Sequence, residues 1–106
     1  MASSVRLIYI TTDGADEARK IGRALVEARL AACANIIDPM TSVYWWDGEV
    51  QEGNETVLIA KTTADKVDAL NDKVLELHSY DCPCVVSIPI VGGSSTFLRW
   101  IENEIL

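Results

Sequence analysis

The spacing of apolar residues switches along this chain between a period of two and a period near 3.6, and each switch marks an element. Val5 to Thr12 places Leu7 and Tyr9 on one face and Ile8 and Ile10 on the other. With both faces apolar, this segment predicts a strand lying centrally in a sheet that is covered on at least one side. Asp13 to Asp16 reads as a helix start, with Asp13 as the cap and Asp16 and Glu17 at the positive end of the dipole. Ala18, Ile21, Leu25, Ala28 and Ala31 then recur at helical spacing. The alanines let this helix approach a sheet closely, and Arg19, Lys20, Arg23, Glu27 and Arg29 fall largely on its solvated face. Ala31 to Ile37 predicts the end of the helix and the beginning of an inner strand, with Cys33 in the core and Pro39 forcing a break or an edge position.

A strand resumes at Ser42–Trp46, where Val43, Tyr44, Trp45 and Trp46 suit a pleated surface. Asp47-Gly48 offers the two positive-φ positions of a tight type I′ turn, and the chain returns from Glu49 to Lys61. Gly53-Asn54 marks a bulge or bend in the returning arm. Thr63 stands where a helix cap belongs. Val67, Leu70, Val74 and Leu77 then predict an amphipathic helix ending near His78-Ser79. Cys82-Pro83-Cys84 is extended, and Val86, Ile88 and Ile90 form a last strand that Pro89 pushes toward an edge or a bulge. After the Gly92-Gly93 break, Ser94 or Ser95 caps a short helix in which Leu98, Ile101 and Ile105 share a face.

The order is β-α-β-β-α-β plus a terminal helix, the ferredoxin-like α+β pattern. It has a four-stranded antiparallel sheet, helices on one face and a long hairpin joining the second and third strands. One domain spans residues 1–106. The other sheet face is left uncovered, and with two tryptophans on a protruding hairpin a partner subunit is the simplest cover. Tyr44, Trp45 and Trp46 are therefore the expected oligomer interface.

A net charge of −7 repels a phosphate backbone, and no Lys/Arg cluster forms a local exception, so nucleic acid is not an expected partner. No apolar run reaches the ~20 residues of a spanning helix, and no membrane segment is expected. Leu7 to Ile10 is too short for a signal-peptide core, which makes the cytoplasm the expected location. Three cysteines form an odd set without an export signal, and reduced thiols are expected rather than a disulfide framework.

One histidine in the chain, with no nucleophile triad, P-loop or dinucleotide fingerprint, argues against an enzyme. The densest set of soft ligands is His78, Cys82 and Cys84, which suits Cu(I) or Zn(II). The alternative is that these thiols are small hydrophobes and His78 merely ends a helix. Lys61 closes the returning arm, either holding an anion in a cleft between subunits or blunting a sheet edge. Trp46 lines a cleft or anchors an interface. Gly92-Gly93-Ser94-Ser95 lacks a nearby basic residue and reads as a plain loop and cap.

As an ordered set, Leu30-Ala31-Ala32-Cys33-Ala34-Asn35, Ser42-Val43-Tyr44-Trp45-Trp46-Asp47-Gly48-Glu49, Leu58-Ile59-Ala60-Lys61-Thr62, His78-Ser79-Tyr80 and Trp100-Ile101 resemble the divalent-cation tolerance family, CutA. The resemblance spans nearly the whole chain. It implies a ferredoxin-like homotrimer with sheet faces turned inward, an association with copper and other divalent metal ions, no required cofactor, and a cleft between subunits that here would hold Trp46, Lys61 and Tyr80. The family's His-Pro-Tyr-x-x-Pro-Glu segment appears as His78 to Cys84, with Ser79 and Cys84 in place of a proline and the glutamate. Of the ligand positions proposed in some members, a strand cysteine and two adjacent histidines, this chain has Thr11, Leu77 and His78. Two other functions are carried alongside: a small-ligand or nucleotide sensor resembling the PII trimers, and a structural trimer that anchors another protein.

Overall fold

In the computed structural model, which describes residues 4–105, Ile8, Ile10 and Thr12 lose all contact with solvent, while Leu7 and Tyr9 on the opposite face keep part of theirs. Their strand, β1 (Val5–Thr12), is central as its two-sided apolar pattern requires. It pairs antiparallel with β3 (Glu49–Thr63) on one side and β4 (Val85–Pro89) on the other. Strand β2 (Cys33–Trp46) joins only β3, giving the order β2-β3-β1-β4. Helices α1 (Ala15–Glu27) and α2 (Val67–Leu77) complete the ferredoxin-like α+β arrangement, and α3 (Ser95–Glu104) lies against β1 and β3.

The core is one layer thick. Ile8, Ile10, Leu58 and Ala60 from the sheet meet Ala18, Ile21 and Leu25 of α1 and Leu70 and Val74 of α2. The close approach anticipated from the alanines is set most sharply at Gly22. A Cβ there would stand 3.1 Å from Leu58 Cδ1 and 3.4 Å from the Ala34 Cβ.

The hairpin is the longest feature. Asp47 and Gly48 take φ of 54° and 76°, the two positive values that a type I′ turn demands. From this turn the register runs Trp46↔Glu49, Tyr44↔Gln51 and Met40↔Glu55 without interruption. Strands of 14 and 15 residues carry the hairpin beyond the helices and stretch the subunit to 43 × 25 × 22 Å.

Four local expectations are corrected. The bulge falls between Ile37 and Met40, around Pro39, and Gly53-Asn54 pairs regularly; proline has no N–H for the ladder, whereas glycine keeps its own. β2 is an edge strand and Cys33 is half-buried, because β3 reaches back to pair with β1. Asp13 does not cap α1 with its side chain: Gly14 precedes the helix, and the Asp13 N–H instead donates to Glu17 Oε1 at 3.0 Å. After Thr63 the chain makes a 3-10 turn (Ala64–Lys66) before α2 begins, and the Thr63 hydroxyl donates to Asp65 Oδ1 rather than to the helix backbone. Ser94 does cap α3, accepting from the Phe97 N–H at 3.3 Å.

Candidate functional site

On the face of the sheet away from α1 and α2, a cavity of about 380 Å³ opens where the hairpin leaves the body of the subunit. Strand alternation places its walls. Thr11 of β1 and Glu55 of β3 form the base, with Tyr44 and Trp46 of β2 on the hairpin side. The segment that follows α2 supplies Tyr80, Asp81, Cys82 and Cys84 on the other.

That segment is fixed by His78. The helix ends there, with the His78 N–H still bonded to the Val74 carbonyl at 2.9 Å. The imidazole is fully buried. Its Nε2 donates to the Thr11 carbonyl at 2.7 Å, and its Nδ1 accepts the Tyr80 N–H at 3.0 Å. The ring packs against Tyr80 with centroids 4.7 Å apart. Glu17 ties the same corner to α1 by accepting the Asp13 and Ser79 N–H groups, each at 3.0 Å. Partial burial pushes the Glu17 carboxyl upward, but the bonds from Asp13 and Ser79, with His78 nearby, outweigh it and hold the group below its ordinary value.

Inside the cavity the Tyr80 hydroxyl donates to Glu55 Oε2 at 3.2 Å. Burial and then the Glu55 charge push this phenol up to about 12. Burial, again reinforced by Glu55, raises the Cys84 thiol above its usual value, against an opposing hydrogen bond with Thr11. Both groups therefore stay neutral at physiological pH, and the fixed charge of the walls comes from Glu55 and Asp81 alone.

The expected ligand set is not assembled. His78 has both ring nitrogens engaged, and among the described residues no group of three or more His, Cys, Asp or Glu side chains is placed to hold a metal ion. The residues do not fit a closed three- or four-ligand centre. What remains is the pair Cys82 and Cys84, both free and exposed on the cavity wall. Within one chain Trp46 and Tyr80 line this cavity, and Lys61 does not. It lies six residues along β3 from Glu55, ~20 Å at the usual strand rise, and donates to Asn35 Oδ1. Glu55 and Asp81 are not among the site residues expected from the sequence, and Glu17 is expected only to serve the helix dipole. A signal for Glu55 existed, since counting back from the Asp47-Gly48 turn puts it opposite Met40 on the same face as Tyr44 and Trp46.

These features define a class: a ferredoxin-like α+β subunit with an acidic, thiol-bearing cavity on its uncovered sheet face. The chain belongs to the CutA1 divalent ion tolerance protein family, whose model matches residues 6–104. It is 43% identical over 98 residues to the divalent-cation tolerance protein CutA of Thermus thermophilus, covering 92% of this chain and 95% of that one. The CutA of Archaeoglobus fulgidus is 41% identical with the same coverage. Its solved structure, described as that of a periplasmic divalent cation tolerance protein, matches with a TM-score of 0.93 at 39% identity over 96% of this chain and 99% of that one. Rice carries a longer relative, the chloroplastic Protein CutA 1, 38% identical over 92% of this chain, which covers 55% of it.

Proposed function

We propose that this chain forms a homotrimer with its uncovered sheet faces turned inward, and that it acts in the cytoplasm in tolerance of copper and other divalent metal ions by binding rather than by catalysis. The observation that carries the assembly is the exposed apolar surface on that face. Ile37, Val86 and Ile88 stay 54%, 48% and 47% exposed on the face that no helix covers, and Trp46 stays 63% exposed at the end of the hairpin. A patch of this kind marks an interface, and Tyr44, Trp45 and Trp46 are the arm that reaches the neighbouring subunit. Assembly is also what would bring a neighbour's Lys61 toward the Trp46–Tyr80 cleft. The metal role rests on Cys82 and Cys84, soft donors suited to Cu(I) taken as cargo and held weakly, with His78 supporting the segment from behind. Three free cysteines fit a reducing compartment.

Titrating Cu(I) into the wild type and into Cys82→Ser/Cys84→Ser tests the metal site. Weaker or lost Cu(I) uptake in the variant is expected, and equal affinity and stoichiometry in both removes the site. Cell fractionation tests the location. A nucleotide-sensing role is not favoured, because this chain lines the cavity with two carboxylates, and a neighbour's Lys61 alone is no dense basic set for phosphates. Anchoring of another protein has one observation behind it: Trp45, 74% exposed, points away from the cavity on the opposite face of the hairpin.

A further inference from the structure

We infer that α3 is a strap, hinged at Gly92-Gly93 and latched at its far end by Arg29, that opens as a unit while β1, α1 and α2 stay folded. Its hold on the body is slight. It buries one side chain, Ile101, whereas α1 buries Ala18, Ile21, Gly22 and Leu25. An isolated helix of this length is marginal in water, so α3 depends on its ties. Its last turn works against it: Glu102 and Glu104 stand at the negative end of the helix dipole, with no basic residue in that turn. Arg29 supplies the missing charge from outside. Its Nη1 donates to a Glu104 carboxylate oxygen at 3.0 Å and to the Glu104 carbonyl, one of the last in the helix, at 3.2 Å. The Ser4 hydroxyl donates to Glu102 Oε2 at 2.8 Å.

The latch is built at a backbone cost. Arg29 follows the end of α1 with φ of 60°, a left-handed position that favours glycine. The Arg29 N–H donates to the Val26 carbonyl at 3.1 Å and the Leu30 N–H to the Leu25 carbonyl at 2.9 Å, which closes α1. Glycine would close the same turn without that cost but could not reach Glu104. At the other end of the strap, a Cβ on Gly92 or Gly93 would meet no atom beyond its chain neighbours within 4 Å, and Val91 is almost wholly exposed. A helix swings about such a pair without breaking packed contacts. Between the strap and the end of α1 a cavity of about 350 Å³, with Trp100, Arg29 and Glu104 in its lining, leaves the seat partly unfilled. Few buried apolar contacts and an exposed tether mark a segment that opens below the global limit.

Native-state hydrogen exchange on the intact protein tests this, at a concentration where sedimentation gives one assembly state for every variant compared. In the wild type the α3 amides are expected to exchange ahead of those of β1, α1 and α2. Arg29→Gly removes the latch and the positive-φ cost together. Its α3 amides should exchange about 5-fold faster, and those of α1 and β1 no faster than before. Glu104→Gln leaves the α1 turn untouched and keeps both acceptors, removing only the charge, so it should speed α3 about 2-fold. Wild-type α3 amides that exchange together with those of β1 and α1 would overturn the inference. So would α3 exchange unchanged in both variants, or α1 and β1 accelerated by the same factor as α3.

Discussion

The two faces of one sheet present the same strands to different surroundings. On the helix-covered face Ile8, Ile10, Leu58 and Ala60 are closed off entirely, and polar Thr12, Thr56 and Thr62 are buried with them. Thr12 bonds the Thr56 carbonyl at 3.2 Å and Thr62 the Leu30 carbonyl at 2.7 Å, so burying these hydroxyls leaves none unpaired. On the other face, Leu7, Tyr9 and Ile59 are only half-buried, and Ile37, Val86 and Ile88 are exposed. Under the helices the first face completes itself within the chain; farther out on the hairpin, Val43, Trp45 and Val50 of that face stay exposed. The second has apolar character without a layer to pack on, and the cavity at the base of the hairpin on it is acidic. The difference separates what folds the subunit from what the subunit offers to other molecules.

The largest expected effect lies on the covered face. Leu58→Ala removes a side chain with no solvent exposure at the centre of the core and should cost about 2–5 kcal/mol in chemical denaturation. Ile88→Ala, on the open face, should cost ~1 kcal/mol or less in a dissociated subunit at high dilution, and more as concentration rises, if copies cover this face. A concentration-independent loss equal to that of Leu58→Ala would erase the distinction. Gly22→Val tests the tightness of the α1 contact: its Cβ enters a space bounded by Leu58 Cδ1 at 3.1 Å, and an overpacking loss of roughly 1–3 kcal/mol is expected. An unchanged midpoint would show that the helix has room.

The smallest effect concerns the corner that holds Tyr80. The Glu17 carboxyl sits below its ordinary 4.5 in the folded chain. Its contribution is therefore present above pH 4.5 and is lost as pH falls through the lower folded value. Glu17→Gln should flatten the acid limb of a stability–pH profile while changing neutral stability less. A profile as steep as the wild type's would assign that limb to other carboxylates.

Much of this architecture was legible in the residues. The two-sided apolar pattern of Val5–Thr12 placed that strand centrally, and Asp47-Gly48 fixed the hairpin turn. Positions decided by competition between distant segments were less so. Cys33 looked interior because its neighbours are alanines, yet edge or centre is settled by which strand β3 pairs with next. Gly53 suggested a bulge by its type, whereas the missing N–H of Pro39 made one elsewhere. His78 looked like a ligand because imidazole is versatile. Only the folded chain brings the Thr11 carbonyl, 67 residues away, to its Nε2. Glu55 was hidden by reading the hairpin as composition rather than as register.

The central claim is that the open face exists to be covered by further copies of this chain. Sedimentation equilibrium of the wild type beside Trp46→Ala tests it most directly. The account predicts a wild-type species of three times the chain mass, and a Trp46→Ala variant that dissociates at concentrations where the wild type stays whole. A stable wild-type monomer, or a Trp46→Ala trimer of undiminished stability, would contradict it.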